Sequence, residues 1–220
     1  MPETPKRTYD ATKRRARAED ERRATQRRVL AAAQQLFVEK GYKATTVADI
    51  AAAAGVAIQS VYKAGKSKPE LLQRVVEVVV AGDDEDVLII DRPSFADVAR
   101  EPDAARQVEM IAALIASTQE RSAPVQAALR EAAAVDIAVA RNLDAELQRR
   151  HETIGAIVGM IAGDCLRLTL EESTDTVWAI GSSEVYLLLR TRRGWSADKY
   201  LRWLTRTLTD QLLVADDNPP

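Results

Sequence analysis

The sequence predicts an all-α protein, and three observations carry that prediction. Alanine is abundant while only 5% of the 220 residues are aromatic, which favours packed helices over sheets built from aromatic and β-branched side chains. Apolar residues recur at three- and four-residue steps through most of the chain. Helix start signals recur as well: Thr46-Val-Ala-Asp49, Ser67-Lys-Pro-Glu70 and Thr169-Leu-Glu-Glu172 each set a hydroxyl three residues ahead of a carboxylate. With 46% hydrophobic side chains, the chain can bury one substantial core, or a small domain plus a larger one.

The elements follow in order. Residues 1–22 are polar, contain Pro2, Pro5 and the run KRRAR at 13–17, and lack an apolar stripe. A flexible arm is expected there. A helix is expected from about Ala24 to Lys40, with Val29, Ala33, Leu36 and Phe37 on one face and Gly41 ending it. Thr46 opens a short helix over about 47–54, which packs Val47, Ile50 and Ala51. Gly55 breaks it, and a second short helix follows over about 57–64. Ser67 and Pro69 open a long helix over roughly 68–81. GDDEDVLIIDRP at 82–93 reads as a connector in which Asp83, Asp84, Glu85 and Asp86 are solvated. Helices are then expected over 103–119, 123–136 and 137–162, with Pro102 and Pro124 at starts, where a missing N–H costs least. Residues 163–169 read as a loop and 171–191 as a helix. Gly194 breaks the pattern, Ser196 caps a last helix over 197–214, and ADDNPP reads as a frayed end.

Residues 1–68 hold 15 Lys+Arg against 7 Asp+Glu, a balance of +8, and residues 69–220 hold 16 against 26, a balance of −10. A basic front on an acidic back suits a nucleic-acid-binding module carried by a domain that does not touch nucleic acid; a solvated basic tail gives the same count. Cys165 is the only cysteine, so neither an intramolecular disulfide nor a cysteine metal cluster is expected, and a reducing cytoplasm fits. No signal peptide is read in the charged residues 1–28, and no run of about 18 apolar residues suggests a membrane span. One histidine and one cysteine, far apart, leave no evident nucleophile–base pair. No catalytic residue, cofactor or metal is expected.

The stretch TTVADIAAAAGVAIQSVYKAGKSK at 45–68 fits DNA recognition. A recognition unit sets one short helix into a major groove about 12 Å wide and braces it with a second. Ala51 and Gly55 are small enough to let two helices meet closely. With Ile58 or Val61 packed inward, Gln59, Ser60 and Lys63 face out. Gln59 suits an adenine edge, and Ser60 a base or a phosphate. Thr45 and Thr46 sit at a helix N-terminus, a natural phosphate seat, and Tyr62 and Lys68 are placed to hold the opposite backbone. An ordinary helical hairpin of a bundle shares the glycine and the short helices.

Residues 27–72, RRVLAAAQQLFVEKGYKATTVADIAAAAGVAIQSVYKAGKSKPELL, resemble the DNA-binding region of the TetR (tetracycline repressor) family of bacterial regulators. The matching pieces are AAAQQLFVEKGY, TTVADIA, AGV, VYK and SK-ELL, in order and at the right separations. WAIGSSEVYLLLRTRRGWSADKYLRWL also looks like the final two helices of some members. The resemblance implies a three-helix helix-turn-helix module at 23–70 and a helical ligand-binding and dimerisation domain at 71–215, flanked by the arm at 1–22 and a tail at 216–220. It implies that Thr46 is the phosphate-contacting cap, that Ala57 to Lys63 form the recognition helix, and that Tyr62 and Lys68 contact the DNA backbone. The partners it implies are a double-stranded DNA operator, a second copy of the chain and a small-molecule effector, expected here to be apolar. The chain departs from the family pattern in two places. Ala57 replaces the usual serine cap, and Ala64-Gly65 lacks the aromatic residue that plugs the recognition helix onto the next one. A looser or re-angled recognition helix is therefore expected. A dimeric interaction protein whose helix-turn-helix has lost DNA affinity is the other reading of these departures.

Two modules about 34 Å apart read a palindrome, which gives dimerisation a physical motive. Leu201, Leu204, Leu208 and Leu212, with Val177, Ile180, Val185 and Leu188, form stripes that suit an intersubunit four-helix bundle or the subunit's own core. Candidate effector contacts are Met110 and Leu114 on one stripe, His151 and Ile154 on another, and Trp178 and Tyr186, which pair a large surface with a polar handle. Core packing accounts for the same residues. Lys13, Arg14, Arg15 and Arg17 suit phosphate tracking, or serve only to keep the arm soluble.

Overall fold

The computed structural model describes residues 8–83 and 89–214, with side chains from residue 13 onward and backbone only at 89. The described residues are helical. No strand occurs among them, and a single isolated bridge pairs Leu166 with Leu213. Two compact units divide the chain at Val75–Val76.

The first unit contains α1 (Thr8–Lys40), α2 (Val47–Ala54), α3 (Ile58–Ala64) and the start of α4 (Lys68–Ala81). Its core is built from Val29, Ala33, Phe37, Ile50, Val61 and Leu71, all essentially inaccessible. Helix α1 starts far earlier than Ala24. The segment expected as a flexible arm is helical from Thr8, with an exposed surface held by pairs at helical spacing: Arg17 to Glu21 at 3.0 Å and Arg22 to Glu19 at 2.9 Å. Such pairs each add a few tenths of a kcal/mol to a helix already nucleated by the buried turns that follow. Residues 1–7 lie outside the described residues. Gly55 ends α2 in the left-handed region at φ 64°, and Val56 N–H reaches the Ala51 carbonyl at 3.0 Å. That closure requires a positive φ, which glycine supplies without steric cost.

The second unit contains the end of α4, then α5 (Pro93–Arg100), α6 (Ala104–Ala133), α7 (Ile137–Val158), α8 (Leu170–Ile180), α9 (Ser183–Leu187) and α10 (Ala197–Leu212). Helix α6 is its axis and packs against α7, α9 and α10, while α8 lies on α7. Val108, Ile111, Ile157, Val158, Leu204 and Leu208 belong to its core.

Several boundaries differ from those expected. The two helices predicted around Pro124 are one, with the proline inside α6. A proline there removes one ladder bond. The buried face nevertheless continues across it through Ser122, Ala123 and Val125, and the Ser122 hydroxyl donates to the Thr118 carbonyl at 2.8 Å. The helix α5 starts at Pro93, the last residue of the expected connector, and fills a segment to which the sequence assigned no element; Phe95 and Val98, one turn apart, are buried and hold it. Asp83, read as solvated, takes both ends of the Arg92 guanidinium, one of them at 2.9 Å. Asp84, Glu85 and Asp86 lie outside the described residues. Helix α7 ends at Val158 rather than 162, and the last helix ends at Leu212. The frayed end at 215–220 lies outside the described residues.

The helix expected over 171–191 breaks at Gly181. A Cβ there would sit 2.9 Å from the Val177 carbonyl and 3.1 Å from Ile115 Cγ2, so only glycine admits this approach to α6. Ser182 then caps α9, and a π-helical turn over Leu188–Arg192 follows. Beyond α10 the chain is clasped to the α7–α8 connection. Arg167 N–H donates to the Leu212 carbonyl at 2.7 Å, and Val214 N–H to the Cys165 carbonyl at 3.0 Å.

Candidate nucleic-acid interface

Helix α3 buries Val61 and Ala64 and turns Ala57, Ile58, Gln59, Tyr62 and Lys63 outward, with Ser60 half-buried. Ile58 is 45% exposed and Tyr62 49%, high values for large apolar surfaces. Of the two residues weighed for inward packing, Val61 takes that place. One face of a seven-residue helix therefore presents an amide, a phenol, an ammonium and an aliphatic group to the surroundings, the side-chain types that read base edges and phosphates. Ala57 occupies the N-cap in extended conformation and supplies no side-chain hydrogen bond.

Thr46 is the N-cap of α2 in a reciprocal box. Its Oγ1 accepts from Asp49 N–H at 3.1 Å, and Asp49 Oδ2 accepts from Thr46 N–H at 3.0 Å and from its hydroxyl at 2.8 Å. The Thr46 hydroxyl and then its N–H hold the Asp49 carboxyl below its ordinary range. Thr45 is different. It is fully buried, and its hydroxyl lies within hydrogen-bond distance of the Leu36 and Gly41 carbonyls, at 3.1 and 2.9 Å. It satisfies the open carbonyls at the end of α1, so its side chain is not available as a phosphate contact. Lys68 is also turned inward. Its Nζ donates to the Thr45 carbonyl at 2.8 Å and lies 4.1 Å from the centre of the Tyr42 ring. It fastens the start of α4 to the α1–α2 turn instead of reaching outward.

Gly65 corrects another expectation. It is buried and extended, and a Cβ there would lie 2.7 Å from Leu71 Cα and 2.8 Å from Leu71 N. The missing aromatic is replaced by direct backbone contact between the end of α3 and the first turn of α4. The room that a plug needs is absent at this junction.

In the second unit the candidate residues separate. Ile154 and Tyr186 are buried, and Met110, Leu114 and Trp178 pack at the edge of the core. His151 does not face inward. Its side chain is 39% exposed, its Nε2 lies 2.8 Å from Asp175 Oδ1, and its ring meets Trp178 edge-on at 6.2 Å. The residue beside it, Arg150, faces in and donates to the Trp178 carbonyl at 2.7 Å. Both positions lie three or four residues from Leu147 and Ile154, so the apolar stripe alone cannot tell them apart. Val177, Leu204, Leu208 and Leu212 are wholly buried within their own unit, which removes them from any intersubunit surface. Ile180, Val185 and Leu201 are half-buried, and Leu188 is exposed.

Among the described residues no His, Cys, Asp and Glu gather in a group able to hold a metal ion, and no helix is long and apolar enough to cross a membrane.

Residues 29–75 match the family model of bacterial regulatory proteins of the tetR family. Comparison with curated protein sequences yields no match. Many solved structures share the fold. A TetR-family regulator from Mesorhizobium loti superposes with a TM-score of 0.67 at 16% identity, over 88% of this chain and 98% of that one. NalD of Pseudomonas aeruginosa, described as the secondary repressor of the MexAB-OprM multidrug efflux pump, gives 0.65 at 20% identity, over 88% and 99%. A transcriptional regulator of Saccharomonospora viridis, solved with choline, gives 0.63 at 16%, over 86% and 97%. These likenesses establish the shared fold. Residues 29–75, which form the end of α1 through the start of α4, carry the segment that the family model of bacterial regulatory proteins of the tetR family describes, and the chain as a whole shares the fold of these solved regulators.

Proposed function

We propose that this regulator binds a palindromic operator as a homodimer, represses transcription from it in the cytoplasm, and is released by a small molecule bound in the second unit. The observation that carries the reading is the outer face of α3, where Gln59, Tyr62 and Lys63 stand exposed over a buried Val61. Gln59 is the base reader, Ser60 and Lys63 support it, and Tyr62 and the Thr46 turn engage phosphates. The fold neighbour NalD, a repressor of an efflux pump, supports the repressing sign. Dimerisation is assigned to the turn after α9 and to α10, where Leu188 is exposed and Leu201 and Trp203 are half-buried. Helix α4 carries the chain from one unit to the next and is the lever. An effector that prefers one spacing of the two recognition helices shifts the population toward it by its difference in affinity between the states.

Fluorescence anisotropy with DNA flanking the gene, at two salt concentrations and against scrambled DNA, tests the reading. Sequence-selective binding, weakened about tenfold or more by Gln59→Ala or Tyr62→Ala, is expected. Binding no better than to scrambled DNA would identify a helix-turn-helix that has lost its operator.

A further inference from the structure

Three polar groups lie in the second unit: two carry a buried donor without a hydrogen-bond partner among the described residues, and the third is a cation set beside one of them. Tyr200 of α10 is 1% exposed, and its hydroxyl has no hydrogen-bond partner among the described residues. Trp178 of α8 has a buried indole N–H in the same condition. Arg150 of α7 donates one N–H to the Trp178 carbonyl at 2.7 Å. Its guanidinium carbon lies 5.6 Å from the centre of the Trp178 ring.

Arg150 is also a half-buried cation without a carboxylate in contact among the described residues. The two carboxylates that act on it through space are engaged elsewhere: Glu146 with Arg149 at 2.7 Å, and Glu184 with Arg130 at 3.1 Å. Desolvation lowers its pKa, the mark of a charge removed from water and left incompletely compensated. Burial pushes the Tyr200 phenol up to about 12, so the hydroxyl keeps its proton and remains a donor. The neighbouring side chains are aromatic. Tyr186 and Tyr200 meet edge-on with ring centres 5.0 Å apart, and Tyr200 lies 5.8 Å from Trp203.

A donor-rich set with a net positive charge and aromatic neighbours selects its occupant. A cation would face Arg150 unshielded, and a purely apolar molecule would leave the donors unsatisfied at about 1–3 kcal/mol each. We propose that the effector is a small carboxylate with an aromatic body, its carboxylate held by Arg150 with the Tyr200 hydroxyl as second donor, and its ring packed among Trp178, Tyr186 and Tyr200. This deepens the reading of the second unit as an effector domain and rests on it. It also replaces the expected apolar effector with an anionic one.

The test is calorimetric titration of the full chain with phenylacetate, 3-phenylpropionate and salicylate. Benzyl alcohol and benzyltrimethylammonium serve as neutral and cationic counterparts. At least one carboxylate is expected to bind about tenfold or more tightly than its neutral counterpart, since charge-assisted bidentate bonds exceed neutral ones. Arg150→Gln is expected to bring that ratio close to one, and Tyr200→Phe to weaken the carboxylate without strengthening the alcohol. Arg150 also supports the end of α8, so Arg150→Lys is measured beside it. Lysine retains the charge and loses the fork, and should restore part of the preference. Circular dichroism melting identifies any variant that has unfolded. Failure of all three carboxylates to bind at millimolar concentration, or a carboxylate preference unchanged in both Arg150→Gln and Tyr200→Phe, overturns the assignment. DNA binding is followed separately by anisotropy. Operator binding released by a neutral compound would leave the regulator standing without this effector class, and carboxylate binding without operator binding would do the reverse.

Discussion

At the scale of single residues, Gly65 and Ala57 bracket α3 and have opposite consequences. Gly65 permits a backbone approach that any Cβ would block at 2.7 Å. Gly65→Ala is therefore expected to destabilise the first unit by about 1–3 kcal/mol, the usual cost of overpacking, and Gly65→Phe by more. Ala57 lacks only a hydroxyl. Its exposed, extended N-cap geometry suits serine, so Ala57→Ser should raise stability by about 0.5–1 kcal/mol. Thermal melts of the two variants check both signs. A Gly65→Phe protein more stable than wild type would mean that the aromatic plug can be restored. Arg150 and His151 show why adjacent residues exchange roles. A step of about 100° around the helix is finer than the resolution of an apolar stripe, so periodicity locates the inward face without choosing between neighbours. Thr45 was beyond sequence reasoning for another reason. Its partners are the carbonyls of Leu36 and Gly41, and nothing in a threonine codon context states which helix end it will close.

At the scale of elements, caps were legible because they are local. The Thr46–Asp49 and Thr169–Glu172 boxes form in full. Continuity was not local. Pro124 reads as a start, yet the tertiary contacts of α6 carry the helix through it. Gly181 reads as one more residue of a helix, yet its close contact with Ile115 sets a break. The boxes also carry a pH signature. Hydrogen bonds from Thr46 hold the folded pKa of Asp49 below its ordinary 3.8. An aspartate with a depressed folded pKa stabilises fully above its unfolded value and loses that contribution as pH falls through the folded one. The deficit of Asp49→Asn against wild type, read as melting temperature, is expected at pH 7 and should fade below pH 3.8. A deficit that persists unchanged in acid would show that charge is not what the box uses. Thr46→Ala, which removes the neutral half of the box, should cost about 1 kcal/mol.

At the scale of the whole molecule, the burial pattern separates folding from assembly. Leu208 is fully buried in the second unit, while Leu188 is 58% exposed. Leu208→Ala is expected to cost about 2–5 kcal/mol by opening a cavity. Leu188→Asp should leave the melt of the isolated subunit nearly unchanged and shift the sedimentation equilibrium toward monomer. An unaltered association state would count against Leu188 as part of the proposed dimer surface. The charge partition of the sequence also belongs to this scale. A basic first unit and an acidic remainder direct an anionic polymer to one end of the chain.

The clasp that closes the chain has a practical consequence. Val214 N–H bonds the Cys165 carbonyl, and Leu213 bridges Leu166, so the chain's single thiol sits at the seam where the C-terminal segment is sewn down. Its rate of alkylation becomes a stopwatch for fraying of that seam, readable in the natural sequence without engineering. A tag or fusion joined beyond Val214 pulls on the same stitch, and accelerated labelling would register the strain before any loss of helix.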